Sequence, residues 1–164
     1  MNRPSSLLWR PATTHILIGG VFVLLIALVI AYAVSAFKPT TRVDIGSGVY
    51  NVWVADTEIE RVRGLSGVEK LNPGGGLLMQ FDSDGKWGIW MKDMKIPLDI
   101  VWLDNNKKVV YIVKNASPET STMVTYTPLN DARYVLELEA GSVDKAGIHS
   151  GAIAKFDETE LGSK

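Results

Sequence analysis

The longest pattern in the chain is an uncharged apolar run near the N-terminus. From Pro11 to Phe37 there is no Asp, Glu, Lys or Arg, and Ile16–Ala36 reads ILIGGVFVLLIALVIAYAVSA. Because a helix rises about 1.5 Å per residue, this run would cover roughly 30 Å, the thickness of the hydrocarbon core of a bilayer. The pattern therefore predicts a transmembrane helix over residues 16–37.

Two other interpretations of this run compete with an anchor. A helix packed on a protein core would keep a polar stripe, and this run has none. A cleaved signal peptide would use Arg3 and Arg10 as its basic region and the small residues Ala33–Ala36 near a cut. The run is longer than the usual apolar region of a signal peptide, roughly 7 to 15 residues, so a retained anchor is favoured.

The charges on either side of the run indicate its orientation. Arg3, Arg10 and the free amine precede it, while Lys38 and Arg42 follow it. This slight basic excess keeps the N-terminus cytoplasmic and exports the rest of the chain. Secretion after cleavage is the alternative. The predicted organisation is a cytoplasmic segment over 1–15, the transmembrane helix over 16–37, a linker over 38–42, one domain over 43–156 and a flexible tail over 157–164.

Within the domain, apolar residues recur mostly with the period of two that is typical of strands. The predicted strands, in chain order, are 49–55, 77–81, 86–91, 98–103, 109–113, 134–140 and 152–156. The residues Asp82–Gly85 read as a turn. Pro97 stiffens the corner between the third and fourth strands, because it fixes its own φ and keeps Ile96 extended. The pattern predicts an all-β domain.

Short helices are predicted where the period changes. Thr57 and Glu60 fit a capping box that opens a helix, and Gly64 can end it in a left-handed conformation. Ser66 and Glu69 repeat the box before the next turn. A further helical turn is predicted over 142–148.

Composition excludes several classes of function. The chain has 164 residues and no cysteine, so it has no disulfide, thiolate nucleophile or cysteine-based zinc site. Its formal net charge is −1 and no basic stripe with interleaved aromatics occurs, so nucleic-acid binding is not expected. The glycines of Asn72–Gly76 follow neither the P-loop nor the dinucleotide-binding spacing. We therefore expect no cofactor.

Five motifs in the domain resemble, in order and spacing, those of the domain of unknown function 192 family. The tryptophan-methionine-lysine followed by Pro-Leu-Asp is the specific part of the resemblance. The motifs are RVRGL (61–65), GLLMQF (76–81), IWMKDMKIPLDIVWLD (89–104), YVLELEAG (134–141) and GIHSG (147–151).

The resemblance implies a compact β-sandwich, jelly-roll-like, in an exported or membrane-anchored prokaryotic protein. It implies no established activity and no cofactor. Two positions depart from the family pattern: Asp93-Met94 stands where Asn-Thr is usual, and Ala152 stands where an aspartate is frequent. Any site that needed those side chains is not expected here.

The polar residues inside the motifs form the candidate site. They are Arg61, Lys92, Asp93, Asp99 and Glu137. In a functional interpretation Asp99 and Glu137 are paired carboxylates for acid/base chemistry, with Lys92 and Arg61 tuning their charge. In a structural interpretation the same carboxylates form ion pairs and cap backbone amides at strand ends. The structural interpretation is favoured.

Aromatic residues and histidines add a second set of candidates. Trp87, Trp90 and Trp102 either fill the core or stack together on a ligand at the surface, and strand aromatics more often fill a core. His149 is one of two histidines and lies in the motif GIHSG, two residues from a glycine on either side, so no metal site is assigned.

Two functional hypotheses remain open. The preferred one is a non-catalytic module that binds a cell-envelope glycan or a protein partner through the rim around Lys92, Asp93 and Asp99. The alternative is a cell-wall polymer hydrolase or lyase with Asp99 and Glu137 as acid and base. The second requires carboxyl groups about 5 Å or roughly 6.5 to 9.5 Å apart on the two sides of one bond.

Overall fold

The computed structural model describes residues 18, 20–30, 40–120 and 124–160. These residues belong to two units, with the boundary between Lys38 and Pro39. In the first unit residues 20–30 are helical and are called α1. Among the described residues no helix is both long enough and apolar enough to cross a membrane. The predicted cytoplasmic segment 1–15 lies outside the described residues. Of the predicted span 16–37, only residues 18 and 20–30 are described.

In its described residues, the second unit contains eight strands and two short α-helices. The strands are β1 (Thr40–Ile45), β2 (Gly48–Ala55), β3 (Gly75–Gly85), β4 (Ile89–Trp90), β5 (Leu98–Leu103), β6 (Val109–Ala116), β7 (Thr125–Tyr126) and β8 (Ala132–Glu139). The helices are α2 (Glu58–Arg63) and α3 (Ser142–Ala146). The all-β class predicted from the sequence is confirmed, and the helices described in this unit are short connections.

Six of the strands form one sheet in the order β1-β2-β3-β8-β5-β6. All neighbours in it are antiparallel except β2 and β3, which are parallel and are connected through α2. The other two strands, β4 and β7, pair with each other in a separate two-stranded sheet. Parallel strands require such a crossover, and this one places α2 beside β3.

The alternation along the strands builds a core on each face of the large sheet. One core contains Leu78, Val101, Leu136 and Leu138 and is covered by α3 and the segment that follows it. The other contains Met79, Phe81, Ile100, Trp102 and Val135 and is covered by the segments around residues 65–71 and 89–94.

Local sequence signals explain both ends of α2. Thr57 accepts a hydrogen bond from the Glu60 backbone amide, while the Glu60 carboxylate accepts one from the Thr57 amide. This is the predicted capping box. The helix ends at Gly64, whose φ of +51° lies in the region that favours glycine. The second predicted box, at Ser66 and Glu69, opens no helix.

Several other predictions differ from the structure. The jelly-roll-like sandwich does not form, because one large sheet is covered by helices and loops rather than by a second sheet of similar size. The predicted strand over 86–91 is reduced to β4, and the predicted turn Asp82–Gly85 continues β3. Residues 152–156 make only isolated bridges, at Ile153 and Lys155.

The ends of the domain also differ from the predicted boundaries. β1 begins at Thr40, within the predicted linker 38–42, because Thr40 pairs with Trp53 of β2. Glu158–Glu160 of the predicted tail forms a 3₁₀ turn, and Glu158 pairs with Lys107 at 3.0 Å. Residues 161–164 of the tail lie outside the described residues.

Candidate functional site

A cavity of about 470 Å³ lies beside α2, on the face of the large sheet that carries Met79 and Phe81. Its floor is formed by side chains of β3 and β8, and its walls come from α2 and from the segment 87–94. The residues that line the cavity include Glu58, Arg61, Val62, Arg63, Gly64, Met79, Phe81, Asp82, Trp87, Trp90, Met94 and Glu137. Its volume falls within the range of roughly 300 to 1,000 Å³ that is usual for small-molecule sites.

Glu137 supplies the buried polar group of this cavity. Glu137 is only 3% exposed, and its Oε2 atom has no hydrogen-bond partner among the described residues. Burial raises the pKa of Glu137 from its ordinary value of 4.5 to about 8, because a charged carboxylate loses its hydration there. The side chain is therefore mostly a neutral carboxylic acid near pH 7, able to donate one hydrogen bond.

Aromatic and methionine side chains form the apolar part of the cavity. The Trp87 ring stacks on Phe81, with centroids 4.3 Å apart and planes 7° from parallel. The indole N–H of Trp87 donates to the Ser83 carbonyl oxygen at 3.2 Å. Trp90 remains 45% exposed although it lines the cavity. An exposed ring at the mouth of a cavity offers apolar area to a ligand.

Arg61 attaches α2 to the sheet. Its Nη1 donates to the carbonyl oxygens of Asp56 and Gln80, the second at 2.7 Å. The guanidinium carbon lies 5.1 Å from the centre of the Phe81 ring, a distance at which a cation is attracted to an aromatic face. The guanidinium therefore positions α2 and the aromatic wall of the cavity.

Asp99 lies on the other face of the sheet. In the pairing of β5 with β8, Glu137 stands opposite Ile100 and Asp99 stands opposite Leu138. Since neighbouring residues of a strand point to opposite faces, Asp99 and Glu137 are separated by the sheet. The structure does not bring together the two carboxyl groups of the predicted acid/base pair.

The hydrogen bonds of Asp99 explain its burial. Oδ2 accepts from the Val143 amide at 2.8 Å, and Oδ1 accepts from the Asn115 amide at 2.9 Å. Asp99 thus caps the start of α3, whose own N-cap residue, Gly141, has no side chain to do so. The structure thus gives Asp99 backbone partners, without the predicted ion pair to Lys92 or Arg61 among the described residues. This burial removes Asp99 from the predicted binding rim.

Lys92 and Asp93 are exposed on a tight turn near the cavity. Asp93 has φ of +56°, which Asp tolerates better than most residues. The turn is fixed by its backbone, because the carbonyl oxygens of Lys92 and Asp93 accept hydrogen bonds from Ser66 and Gly67. Lys92 Nζ lies 5.8 Å from the centre of the Trp90 ring. Both side chains are available for contacts at this rim.

The three tryptophans have different environments. Trp102 is fully buried in the core, and its indole N–H donates to the Trp87 carbonyl oxygen at 2.8 Å. It therefore supports the cavity wall from behind, while Trp87 and Trp90 line the cavity itself. In the part of the chain that the structure describes, no three His, Cys, Asp or Glu side chains are grouped to hold a metal. His149 is exposed.

Several lining residues were missed in the sequence. Met79 and Phe81 alternate on one face of β3, so their shared face was readable once the strand was predicted. Met94 was noted only as a departure from the family pattern, yet it is buried in the cavity wall. Glu58 and Arg63 lie on exposed turns of α2 and carry no signal that would assign them to a site.

Comparison with known families agrees with this architecture. The model of the DUF192 family, described as "Uncharacterized ACR", matches residues 41–156. The chain belongs to the DUF192 family. The match spans β1 to Phe156 and includes every residue of the cavity, so the site lies within the family domain.

Two archaeal proteins are similar to this chain over about two thirds of its length or more. A UPF0127 protein of Thermococcus gammatolerans is 32% identical over 114 residues, which are 70% of this chain and 71% of that protein. A UPF0127 protein of Thermococcus kodakarensis is 28% identical over 109 residues, or 66% of each chain.

Two crystal structures share the fold of this DUF192 domain. A protein of Sinorhizobium meliloti 1021, described as a candidate transcription regulator, has a TM-score of 0.69 at 25% identity, covering 73% of this chain and 95% of that one. A protein of unknown function from Novosphingobium aromaticivorans has a TM-score of 0.67 at 23% identity, covering 71% and 84%.

Proposed function

We propose that this DUF192 domain is a non-catalytic binding module whose cavity beside α2 takes a small organic molecule. The observation that carries the proposal is Glu137, which is 3% exposed, has an unpaired Oε2 and lines a cavity together with Trp87 and Trp90. A buried polar group without a partner costs about 1 to 3 kcal/mol, and a bound molecule would recover that cost. Cavities with an apolar lining and few polar groups are typical ligand sites.

The alternative of a hydrolase with paired carboxylates has less support. Acid and base must lie on the two sides of one scissile bond. Here Asp99 and Glu137 are on opposite faces of the sheet, and both oxygens of Asp99 are used by backbone amides. Asp99 therefore cannot serve as the second carboxyl group of the cavity.

We further propose that the molecule is a single-pass membrane protein with the domain outside the cytoplasm. The support comes from the sequence, namely the uncharged run Pro11–Phe37 and the basic residues before it. The ligand would then be an envelope component, or a group presented by an envelope protein. Lys92 and Asp93 would contact the part of it that remains outside the cavity.

The description of the Sinorhizobium protein raises regulation of transcription as another role. Reading DNA from the major groove usually requires a long exposed helix and a basic surface. In the described part of the domain, α2 and α3 have six and five residues, and the net charge of the chain is −1. We therefore prefer a small-molecule module.

A thermal-shift screen with small uncharged, cationic and anionic compounds tests the binding proposal. Compounds that bind the cavity should raise the melting temperature of the wild type, and Trp90→Ala should reduce that shift. Ile153→Ala is the matched control, because Ile153 is a similarly exposed apolar residue that does not line the cavity. The cavity would be excluded as a binding site if each compound raised the melting temperature equally in Trp90→Ala and Ile153→Ala. It would also be excluded if no compound raised the melting temperature of the wild type.

A further inference from the structure

The chemistry of the cavity floor restricts the charge of its ligand. Glu137 lies close to Gly64 and Met79: the nearest atoms to a Cβ placed on Gly64 are Met79 Cε at 3.4 Å, Glu137 Oε2 at 3.7 Å and the Arg61 carbonyl oxygen at 3.8 Å. No ion pair to Glu137 is formed among the described residues. A ligand that reaches the Glu137 carboxyl group can therefore form a hydrogen bond with a neutral acid, or it can bring a positive charge with it.

The charged groups around the cavity favour a ligand that forms a hydrogen bond with the neutral acid over a positively charged ligand. Those lining it beside Glu137 are Glu58, Arg61 and Arg63 on α2 and Asp82 on β3. The aromatic rings already have cations near them: Arg61 lies over Phe81, and Lys92 lies over Trp90. A cationic ligand would meet these cations and would have to ionise a fully desolvated acid. An anionic ligand would meet the buried carboxyl group itself.

We infer that the cavity selects uncharged molecules that carry a carbonyl oxygen on a flat apolar body. The Glu137 acid donates a hydrogen bond to that oxygen, and the rings of Trp87 and Trp90 cover the body. This inference deepens the proposed function and rests on it. A carboxylic acid kept neutral by an apolar site is a known way to present a donor to a carbonyl group.

Fluorine NMR with two probes of similar size tests the inference on the full-length chain in detergent. The probes are para-fluoroacetophenone, an uncharged ketone, and para-fluorobenzylammonium, a cation. Both partition into micelles, so affinity is taken from the difference between the wild type and Glu137→Leu in the same detergent. Trp90→Ala tests the contribution of the aromatic wall, because it removes one of the rings that line the cavity.

The ketone should bind the wild type and should lose about tenfold in affinity in Glu137→Leu, since one hydrogen bond is removed. Glu137→Gln keeps a donor and should bind within about twofold of the wild type. Between about pH 6 and pH 9 the wild type should lose roughly tenfold in affinity as the acid ionises, while Glu137→Gln should show no such dependence. Melting curves of each variant establish that it is folded.

Two outcomes overturn the inference in distinguishable ways. If the ammonium probe binds more tightly than the ketone and Glu137→Gln abolishes its binding, the cavity is a cation site, and the proposed binding function stands. If neither probe responds to Glu137→Leu or to Trp90→Ala, both the inference and the proposed function fail. If Glu137→Leu does not fold, the pH profile and Glu137→Gln still decide the outcome.

Discussion

At the level of single residues, the two buried carboxyl groups differ in how their oxygens are satisfied. Asp99 accepts two backbone hydrogen bonds, whereas Glu137 Oε2 accepts none among the described residues. A satisfied buried group stabilises the fold, and an unsatisfied one destabilises it. This difference assigns Asp99 to the scaffold and Glu137 to the site, and it makes opposite predictions for their removal.

Removing the Glu137 carboxyl group should stabilise the protein. Glu137→Leu replaces an unpaired acid with an apolar side chain in an apolar environment, so the free energy of unfolding near pH 7 should rise by about 1 to 3 kcal/mol. Urea denaturation followed by circular dichroism measures this. A loss of stability comparable to that of a core truncation would show that Glu137 has a partner in the folded protein.

The pH dependence of stability should also depend on Glu137. Its pKa is raised from 4.5 to about 8 on folding, so the folded state holds a proton that the unfolded state releases. The stabilising contribution is fully present below about pH 4.5 and is lost as pH rises through 8, at up to about 1.4 kcal/mol per pH unit. Between about pH 5.5 and 7.5 the wild type should therefore lose stability faster than Glu137→Gln. Equal slopes would contradict the raised pKa.

Removing the Asp99 carboxyl group should destabilise the protein. Asp99→Ala leaves the backbone amides of Val143 and Asn115 without their Asp99 acceptor, at a cost of about 2 to 4 kcal/mol, while Asp99→Asn keeps one acceptor oxygen and should cost less. Chemical denaturation measures both. Glu139→Ala, an exposed position on the adjacent β8, is the control and should lie within about 0.5 kcal/mol of the wild type. If Asp99→Ala left the free energy of unfolding unchanged, the capping role of Asp99 would be excluded.

At the level of elements, α2 is the wall of the cavity with no buried residue of its own. Its apolar residues Ile59 and Val62 are exposed. A short helix without a buried face gains little from packing, so its position depends on the capping box and on Arg61. The opposite wall, 87–94, is fixed by the Trp87–Phe81 stack and by the backbone bonds of the Lys92-Asp93 turn.

Arg61→Ala should therefore loosen α2 more than it unfolds the sheet. It removes the Arg61 donor from the carbonyl oxygens of Asp56 and Gln80, which should cost about 1 to 3 kcal/mol. Hydrogen exchange followed by mass spectrometry should show faster exchange in 57–64, with β5 and β8 unchanged. Arg63→Ala, two positions along the same helix and exposed, is the matched control. Faster exchange in both variants alike would refute the specific attachment by Arg61.

At the level of the whole molecule, the strands that alternate strongly were predictable from the sequence. β2, β5, β6 and β8 lie within about two residues of their predicted bounds at nearly every end, and the capping box placed the start of α2. β3 was predicted too short, because its continuation to Gly85 depends on pairing with β8, around a bulge between Gln80 and Gly85. Such long-range pairing has no local signal.

The site was predictable only in part. The motifs supplied Glu137 and Trp90, and the tryptophan candidates added Trp87. The register of β5 against β8, however, decides that Asp99 and Glu137 occupy opposite faces. A shift by one residue would have placed them together. The parallel pairing of β2 with β3, which brings α2 over the sheet, is likewise a property of the topology rather than of any motif.

The proposed anchor makes a prediction for the full-length chain. After lysis it should sediment with membranes, resist a high-salt wash and be released by detergent, because the apolar run is long enough to span. Leu24→Arg combined with Leu28→Arg is the control, since each charge at the centre of a span costs about 2.5 to 3.5 kcal/mol and should reduce membrane recovery. Recovery of the uncut wild-type chain in the aqueous fraction would contradict the anchor.

The most direct test of the central claim is the indole N–H spectrum of the chain labelled with nitrogen-15 at tryptophan, titrated with para-fluoroacetophenone. Trp87 and Trp90 line the cavity, whereas Trp53 does not. Binding in the cavity predicts saturable shifts of the Trp87 and Trp90 signals, with Trp53 unchanged. Shifts confined to Trp53, or no saturable shift at any tryptophan, would contradict a ligand site beside α2.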